Sequence, residues 1–416
     1  MNKTKTKICA ALACGCSVMM APALLAQQDG MSQGAERRFD PAWNPAIGVA
    51  LDAFGMMVGG GDGNNEANDS ITLRSMELSL SSRIDPLAWA YTSIEFGRHE
   101  GAYEVELAEA AIWADQLPHS FSLRTGRYLA DFGKWNTVHM HDRPHPFAQG
   151  VRQEFIGGSL AMDGVELHHW LGIGDLPVRW SVGVGANFAG HGHSLLAAES
   201  DEDLSLGHAH GANFATTSAG DFGLPGFAWT GRVSAQHDVG DNGYFQWGAS
   251  AFLTAAGLSQ EHDAGATTEL FELGQNTLAI DLTWHRLAAT DSSSDTIGTE
   301  FFWNQRDAVD ETFDRVERLQ AVGLWGFYLH EFNAHIGAGV EGAWWEHADK
   351  DDGGHWLSGA EAGRQVAIFA AWKPTEVQRL RLILAMNQPD PAAAADSILA
   401  VQWSATIGSH SHSLDW

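Results

Sequence analysis

Cysteine is nearly missing from this chain. Its 416 residues include three, and all of them (Cys9, Cys14 and Cys16) stand at the extreme N-terminus. The remainder therefore has neither a disulfide framework nor a cysteine-based zinc site. Long apolar runs are missing after residue 26, where nothing approaches the roughly 20 residues of a membrane-crossing helix. Positive charge is scarce as well. There are 24 Lys and Arg against 52 Asp and Glu, a formal net charge of −28, which excludes nucleic acid as a partner because phosphate contacts need a basic face. No segment keeps a helical apolar period over three turns. Aromatic residues are plentiful, with 17 Trp and 20 Phe in a total of 10%, far from the composition of an acidic disordered chain.

Residues 1–26 have the form of a secretory signal. Lys3, Lys5 and Lys7 open it, an apolar run from Ile8 to Ala26 follows, and small residues close it at PALLA. Cys14 and Cys16 follow small residues, but neither has Leu three positions upstream, so lipidation is the minor alternative. The expected layout is a signal peptide over 1–26, an N-terminal periplasmic segment over 27–45, and one folded unit over 46–416.

Within that unit the recurring pattern is period-two alternation in stretches of about ten residues, the signature of strands with one apolar face. VRWSVGVGANF sets Val178, Trp180, Val182 and Val184 against Arg179, Ser181, Gly183 and Asn187. TLAIDLTW sets Leu278, Ile280 and Leu282 against Asp281 and Thr283. FNAHIGAGVEGAW and LAVQWSATI repeat the pattern with Ile336, Ala338 and Val340, and with Leu399, Val401 and Trp403. A soluble sandwich and a membrane barrel both alternate in this way. Three features favour the barrel. The polar faces are rich in Gly, Ser, Thr, Asn and Gln. Trp180, Trp284, Phe332, Trp344 and Trp372 sit at the ends of apolar faces, where an interfacial girdle belongs. The breaks alternate between short and long.

Strands are expected near 46–57, 71–84, 88–98, 103–114, 120–128, 163–171, 178–189, 226–237, 244–255, 275–285, 296–305, 318–329, 332–345, 362–373, 378–387 and 397–408. The expected fold class is all-β, a transmembrane antiparallel barrel of about sixteen strands, with short periplasmic turns and long extracellular loops. An energised receptor is disfavoured, because it needs a plug and roughly 22 strands.

A sixteen-strand barrel with a leader and a long third external loop (129–162) resembles bacterial general and phosphate-selective porins. More narrowly, GRYLADFGKWN, VHMHDRPHPF and DGVELHHW resemble a group described as zinc-regulated outer-membrane porins or receptors. The matching residues are Gly133, Lys134, Asn136, His139, His141, Gly164, Val165 and Leu167. The resemblance implies a cell outer-membrane location, contact with lipid and lipopolysaccharide, assembly by the barrel-insertion machinery, and by analogy a homotrimer. Trp416 supplies the terminal aromatic that such machinery reads.

Histidine carries the metal-binding chemistry. Of 20 in the chain, many cluster: His139, His141 and His145; His168 and His169; His191 and His193; His208 and His210; His410 and His412. Neutral imidazoles bind zinc, and His-X-His on an extended segment puts both rings on one side. His139, His141 and His145 with Asp142 are the candidate metal ligands, and zinc is the only cofactor in view; a solvated loop face is the plainer reading. Lys134, Arg143 and Arg152 are the candidate pore-constriction residues, with pairing to Asp131, Asp142 and Glu154 of the same loop as the alternative. Glu104, Glu106 and Glu109 are a candidate cation-lining face. Acidic runs at Glu199–Asp203, Asp307–Glu311 and Asp349–Asp352 suggest a negative vestibule and a preference for cations. The chain is expected to be non-enzymatic, a passive channel for small hydrophilic solutes or ions including divalent metals such as zinc. Its rivals are a non-conducting adhesin or structural barrel and an outer-membrane hydrolase. No nucleophile elbow is present to support the last.

Overall fold

The computed structural model describes residues 45–60, 70–99, 102–146, 149–189, 214–216, 226–263, 268–288, 292–309, 316–350, 356–388 and 394–408. The expected signal segment, residues 27–44, the histidines at 191, 193, 208, 210, 410 and 412, the 199–203 acidic run, the 310–311 and 351–352 acids and Trp416 lie outside the described residues.

Alternation of apolar and polar side chains becomes strand wherever it occurs. In chain order the strands are β1 (Ala46–Gly60), β2 (Ser70–Asp85), β3 (Ala88–His99), β4 (Ala102–Ala114), β5 (Phe121–Leu129), β6 (Ala161–Ile173), β7 (Leu176–Ala189), β8 (Phe214–Thr216) and β9 (Ala228–Asp238). They continue as β10 (Gly243–Asp263), β11 (Thr268–Leu287), β12 (Ser294–Val309), β13 (Val316–Glu331), β14 (Ile336–Lys350), β15 (Trp356–Thr375), β16 (Gln378–Gln388) and β17 (Asp396–Gly408). Each pairs antiparallel with its neighbour, and β1 pairs with β17 from Gly48↔Gly408 to Gly60↔Asp396. This contact closes a barrel of 16 strands. β8 is not one of the staves. It is a three-residue strand within the long 190–225 connection, laid against Leu258–Gln260 of β10.

The faces are those of a membrane barrel. Leu278, Ile280 and Leu282 are exposed, Ile280 at 51%, whereas the alternating Thr277, Ala279, Asp281 and Thr283 are buried, Asp281 at 0%. Val182, Val340, Leu399 and Val401 likewise face out, and Ser181, Glu341 and Gln402 face in. Apolar side chains pointing outward from a closed ladder need hydrocarbon around them, and closure leaves no unpaired strand edge in it. Phe332 and Trp372 are exposed beside short turns, where the girdle was expected.

Several strands outrun their sequence signal. β10 and β11 pair as far as Asp263↔Thr268, and β14 and β15 as far as Lys350↔Trp356, so much of the expected 256–274 and 346–361 loops is strand. Alternation reports contact with lipid and stops at the membrane surface, while the hydrogen-bonded ladder continues into water. In the other direction, β14 starts at Ile336 rather than 332. Asn333 Oδ1 accepts from the amides of His335 and Ile336 at 2.8 and 3.0 Å, which makes 332–335 a turn.

The facing predicts opposite outcomes for paired substitutions. Val182→Arg or Ile280→Arg should block assembly, scored as loss of the heat-modifiable band, because a charge at mid-bilayer costs about 2–4 kcal/mol. Ser181→Asn and Thr283→Asn, which add only a small polar group to the lumen side, should leave the band in place. The reverse pattern would place the core where lipid is drawn here.

Candidate functional site

The chain between β5 and β6 turns into the barrel and crosses it as a strap, carrying a two-turn helix, α1 (Gln149–Ile156). The GKWN sequence makes the crossing. Gly133 has φ +66°, and a β-carbon there would lie 2.6 Å from Glu300 Oε1, so only glycine fits both the left-handed turn and the close approach. Its amide donates to Ser250 Oγ at 3.0 Å, the Lys134 ammonium to Gln246 Oε1 at 2.6 Å, and the Trp135 amide to Glu300 Oε1 at 3.1 Å. Asn136 ties the two ends of the strap together. Its Nδ2 donates to the carbonyls of Ala130 and Leu160 at 2.7 and 2.9 Å, and its Oδ1 accepts the Leu160 amide at 2.7 Å and Arg152 Nη2 at 3.3 Å. Both donors and the acceptor of the amide are thereby used.

The strap also has an apolar side. Phe132, Val151, Phe155, Ile156 and Leu160 are fully buried against inward-facing Phe302, Trp325, Phe327 and Trp345. Phe155 packs on Phe302 at 5.6 Å between ring centroids, and Trp135 on Phe327 at 5.5 Å edge-on. Burial of each such side chain contributes about 2 kcal/mol. The helix approaches β13 where Gly323 leaves room, since a β-carbon there would meet Phe155 Cε2 at 2.7 Å. One side of the lumen is thus a dry core.

The expected constriction residues take separate roles. Arg152 is completely buried and donates to Glu300 Oε2 at 2.7 Å. Its carboxylate partner is on the wall, not among Asp131, Asp142 and Glu154 of its own loop. Lys134 lines a cavity with Tyr244 and Trp135, and burial lowers its ammonium to about 8. Arg143 donates Nε to the Val138 carbonyl at 3.1 Å, and its own carbonyl accepts from Arg381. Asp131 lies against Arg179 and accepts from Ser181 Oγ at 2.7 Å; burial works against its charge, but Arg179 and Arg232 outweigh it and hold the carboxyl well below the usual range.

The histidines are likewise spoken for. His139 Nδ1 is 2.9 Å from Glu77 and Nε2 is 3.5 Å from Glu109. His141 Nε2 is 3.1 Å from Asp142, and the His141 carbonyl accepts from Arg379. His145 lies among Trp325, Phe327 and Trp135 at 4.7, 4.9 and 5.6 Å. Among the described residues no group of three or more His, Cys, Asp or Glu could hold a metal ion; of the candidate ligands, His139 faces Glu77 and Glu109 on the wall, His141 and Asp142 face each other, and His145 lies nearest Glu341. Of the expected acidic face, Glu109 points inward to His139, and Glu106 lies 3.5 Å from Arg127.

On the short-turn side of the strap, a cavity of about 290 Å3 is lined by Lys134, Trp135, Asp142 and Pro144 from the strap. The wall contributes Tyr244, His285, Glu331, Lys373, Arg379 and Arg381. Of the wall residues that fix the strap, Glu109 was singled out as part of an acidic face, whereas Glu300, Glu77, Arg379 and Arg381 escaped sequence reasoning. Each is a polar position in an alternating strand, and only an inward charge on a lumen face could have marked it.

No family model matches the chain, and no curated protein matches its sequence. Solved structures do. The outer membrane channel DcaP of Acinetobacter baumannii is similar with a TM-score of 0.53 at 11% identity, over 88% of this chain and 96% of that one. A loop L8 deletion mutant of OmpT, an outer membrane protein of Vibrio cholerae, is similar with a TM-score of 0.50 at 9% identity, over 87% and 99%. The chain has the fold of these outer-membrane barrels.

Two strap histidines should respond to pH in opposite directions. For His139, burial disfavours charge, but Glu77 and Glu109 outweigh it and raise the ring well above its ordinary 6.5. Its contribution is therefore complete below about 6.5 and lost as pH rises through the raised value. For His145, burial and then Arg143, Arg381, Arg152 and Arg379 push the ring well below 6.5; Glu341, at 3.5 Å, is its nearest carboxylate. Its contribution is complete above about 6.5 and lost as pH falls toward the depressed value. Tryptophan emission should accordingly report a strap that loosens on acidification, and His145→Phe should abolish that response while leaving an alkaline one that His139→Gln removes. An acid response unchanged in His145→Phe would contradict the assignment.

Proposed function

We propose that this protein is a passive outer-membrane channel for small hydrophilic solutes and ions. One observation carries the reading: a closed barrel with a polar inner face is crossed by a single described strap bonded to opposite walls, and a charged cavity opens beside that strap. Such an arrangement narrows a pore and sets the field a solute meets.

Divalent cations, zinc included, belong to this reading as solutes drawn by acidic outer loops, since the strap histidines are engaged by Glu77, Glu109 and Asp142. A non-enzymatic role is part of the proposal. Ser181, His168 and Asp131 come together, but Ser181 donates to the carboxylate, and His168 Nε2 lies 2.7 Å from Glu166. The hydroxyl faces a carboxylate held low by Arg179 and Arg232 and not an imidazole nitrogen, as a histidine-activated serine would require.

Purified protein in planar bilayers should give discrete conductance steps. Deleting 149–156 should enlarge them severalfold, because α1 fills one side of the lumen. A barrel that inserts but stays silent, with and without α1, would favour the adhesin or structural alternative.

A further inference from the structure

The cavity beneath the strap has an uneven charge balance. Four cations line it, Lys134, Lys373, Arg379 and Arg381, against two carboxylates, Asp142 and Glu331. Lys373 and Glu331 neutralise each other in an ion pair. The other three cations make their hydrogen bonds to neutral acceptors, with Asp142 and Glu341 near the two arginines without a hydrogen bond to either. Lys134 donates to the Gln246 amide at 2.6 Å and lies over the rings of Trp135 and Tyr244 at 5.4 and 5.8 Å. Arg379 donates to the His141 carbonyl, and Arg381 to the Arg143 carbonyl and to Gln402 Oε1 at 3.1 Å. The Nε atoms of both arginines are buried with no hydrogen-bond partner among the described residues.

Cations withdrawn from water whose hydrogen bonds all go to neutral groups gain from a charge-assisted bond to an anion. Burial already lowers the Lys134 ammonium to about 8. The remaining lining limits which anion fits. Trp135, Tyr244, Pro144 and Leu329 are apolar walls, and Asp142 with Glu331 disfavours a multiply charged guest.

We propose that this cavity binds a small monocarboxylate with an apolar body, the carboxylate drawn by Lys134 on one side and by Arg379 and Arg381 on the other, and the body resting against Trp135 and Tyr244. This deepens the channel reading by naming its solute class. Guanidinium groups suit a carboxylate because their paired N–H donors match its two oxygens, and aromatic walls hold the rest of the guest.

The test uses the full chain in detergent, with tryptophan emission recording titrations of sodium benzoate, benzyl alcohol and inorganic phosphate. Benzoate should bind saturably, benzyl alcohol should not bind, and phosphate should bind more weakly than benzoate. Lys134→Gln and Arg379→Gln should each weaken benzoate about tenfold, which corresponds to about 1.4 kcal/mol, with the heat-modifiable band intact. If one variant fails to fold, the other decides. Absence of benzoate binding, equal binding of benzyl alcohol, phosphate binding tighter than benzoate, or benzoate affinity unchanged in the folded variants would each overturn the site. Conductance measured in parallel separates the two claims. A conducting barrel that ignores benzoate refutes the site alone, and a silent barrel that binds benzoate refutes the channel alone.

Discussion

The interior depends on Glu300. This carboxylate, fully buried on β12, receives the Trp135 amide at 3.1 Å, Arg152 Nη1 at 2.7 Å and the Trp325 indole N–H at 3.1 Å. Three donors from three directions meet one charge. Removing one partner of such a pair leaves the other uncompensated at a cost of about 3–5 kcal/mol, so the strap and the wall hold each other in a single arrangement. Gly133 lets the strap come close enough, Asn136 keeps its neck shut, and Phe155 and Phe132 fill the space that α1 opens.

The result is a lumen divided by chemistry. Beside β12 to β15 the strap is dry, apolar and fixed. Toward β2 and β4 it is held by His139 between two glutamates, and toward β16 by two arginines that grip its carbonyls. Charge inside the barrel thus holds the strap at Glu300, Glu77 and Glu109 and elsewhere pairs across the wall, as in Arg124–Glu166 and Arg232–Asp281. The cavity beside Lys134 is where cations outnumber carboxylates, which inverts the sign of the whole chain. Net charge of −28 describes the field approaching the molecule; the lining describes what a solute meets within it.

Much of the fold was legible in the sequence because the membrane imposes it. Ile280 next to Asp281 and Val182 next to Ser181 report which way each side chain points, and sixteen such stretches give sixteen strands. The rims were less legible. Beyond the lipid surface β10, β11, β14 and β15 continue as a backbone ladder with no apolar face to mark them, and α1 is too short for a helical period to stand out. Within the strap, the GKWN and His-X-His residues could be singled out, but most of their partners on the wall could not. Glu300 lies 165 positions from Trp135 and looks like any polar residue of an alternating strand. Reading Lys134, Arg143 and Arg152 as one basic patch was natural from their spacing, yet the fold sends Arg152 to Glu300 and Lys134 to Gln246.

Hydrogen–deuterium exchange on Glu300→Ala tests the anchor most directly. Peptides covering 130–146 and 149–160 should be protected in the unaltered protein and lose that protection in the variant, while peptides from β7, β11 and β17 keep theirs. Strap protection unchanged by Glu300→Ala would contradict the account, because the strap would then be held without the interaction on which it is said to depend.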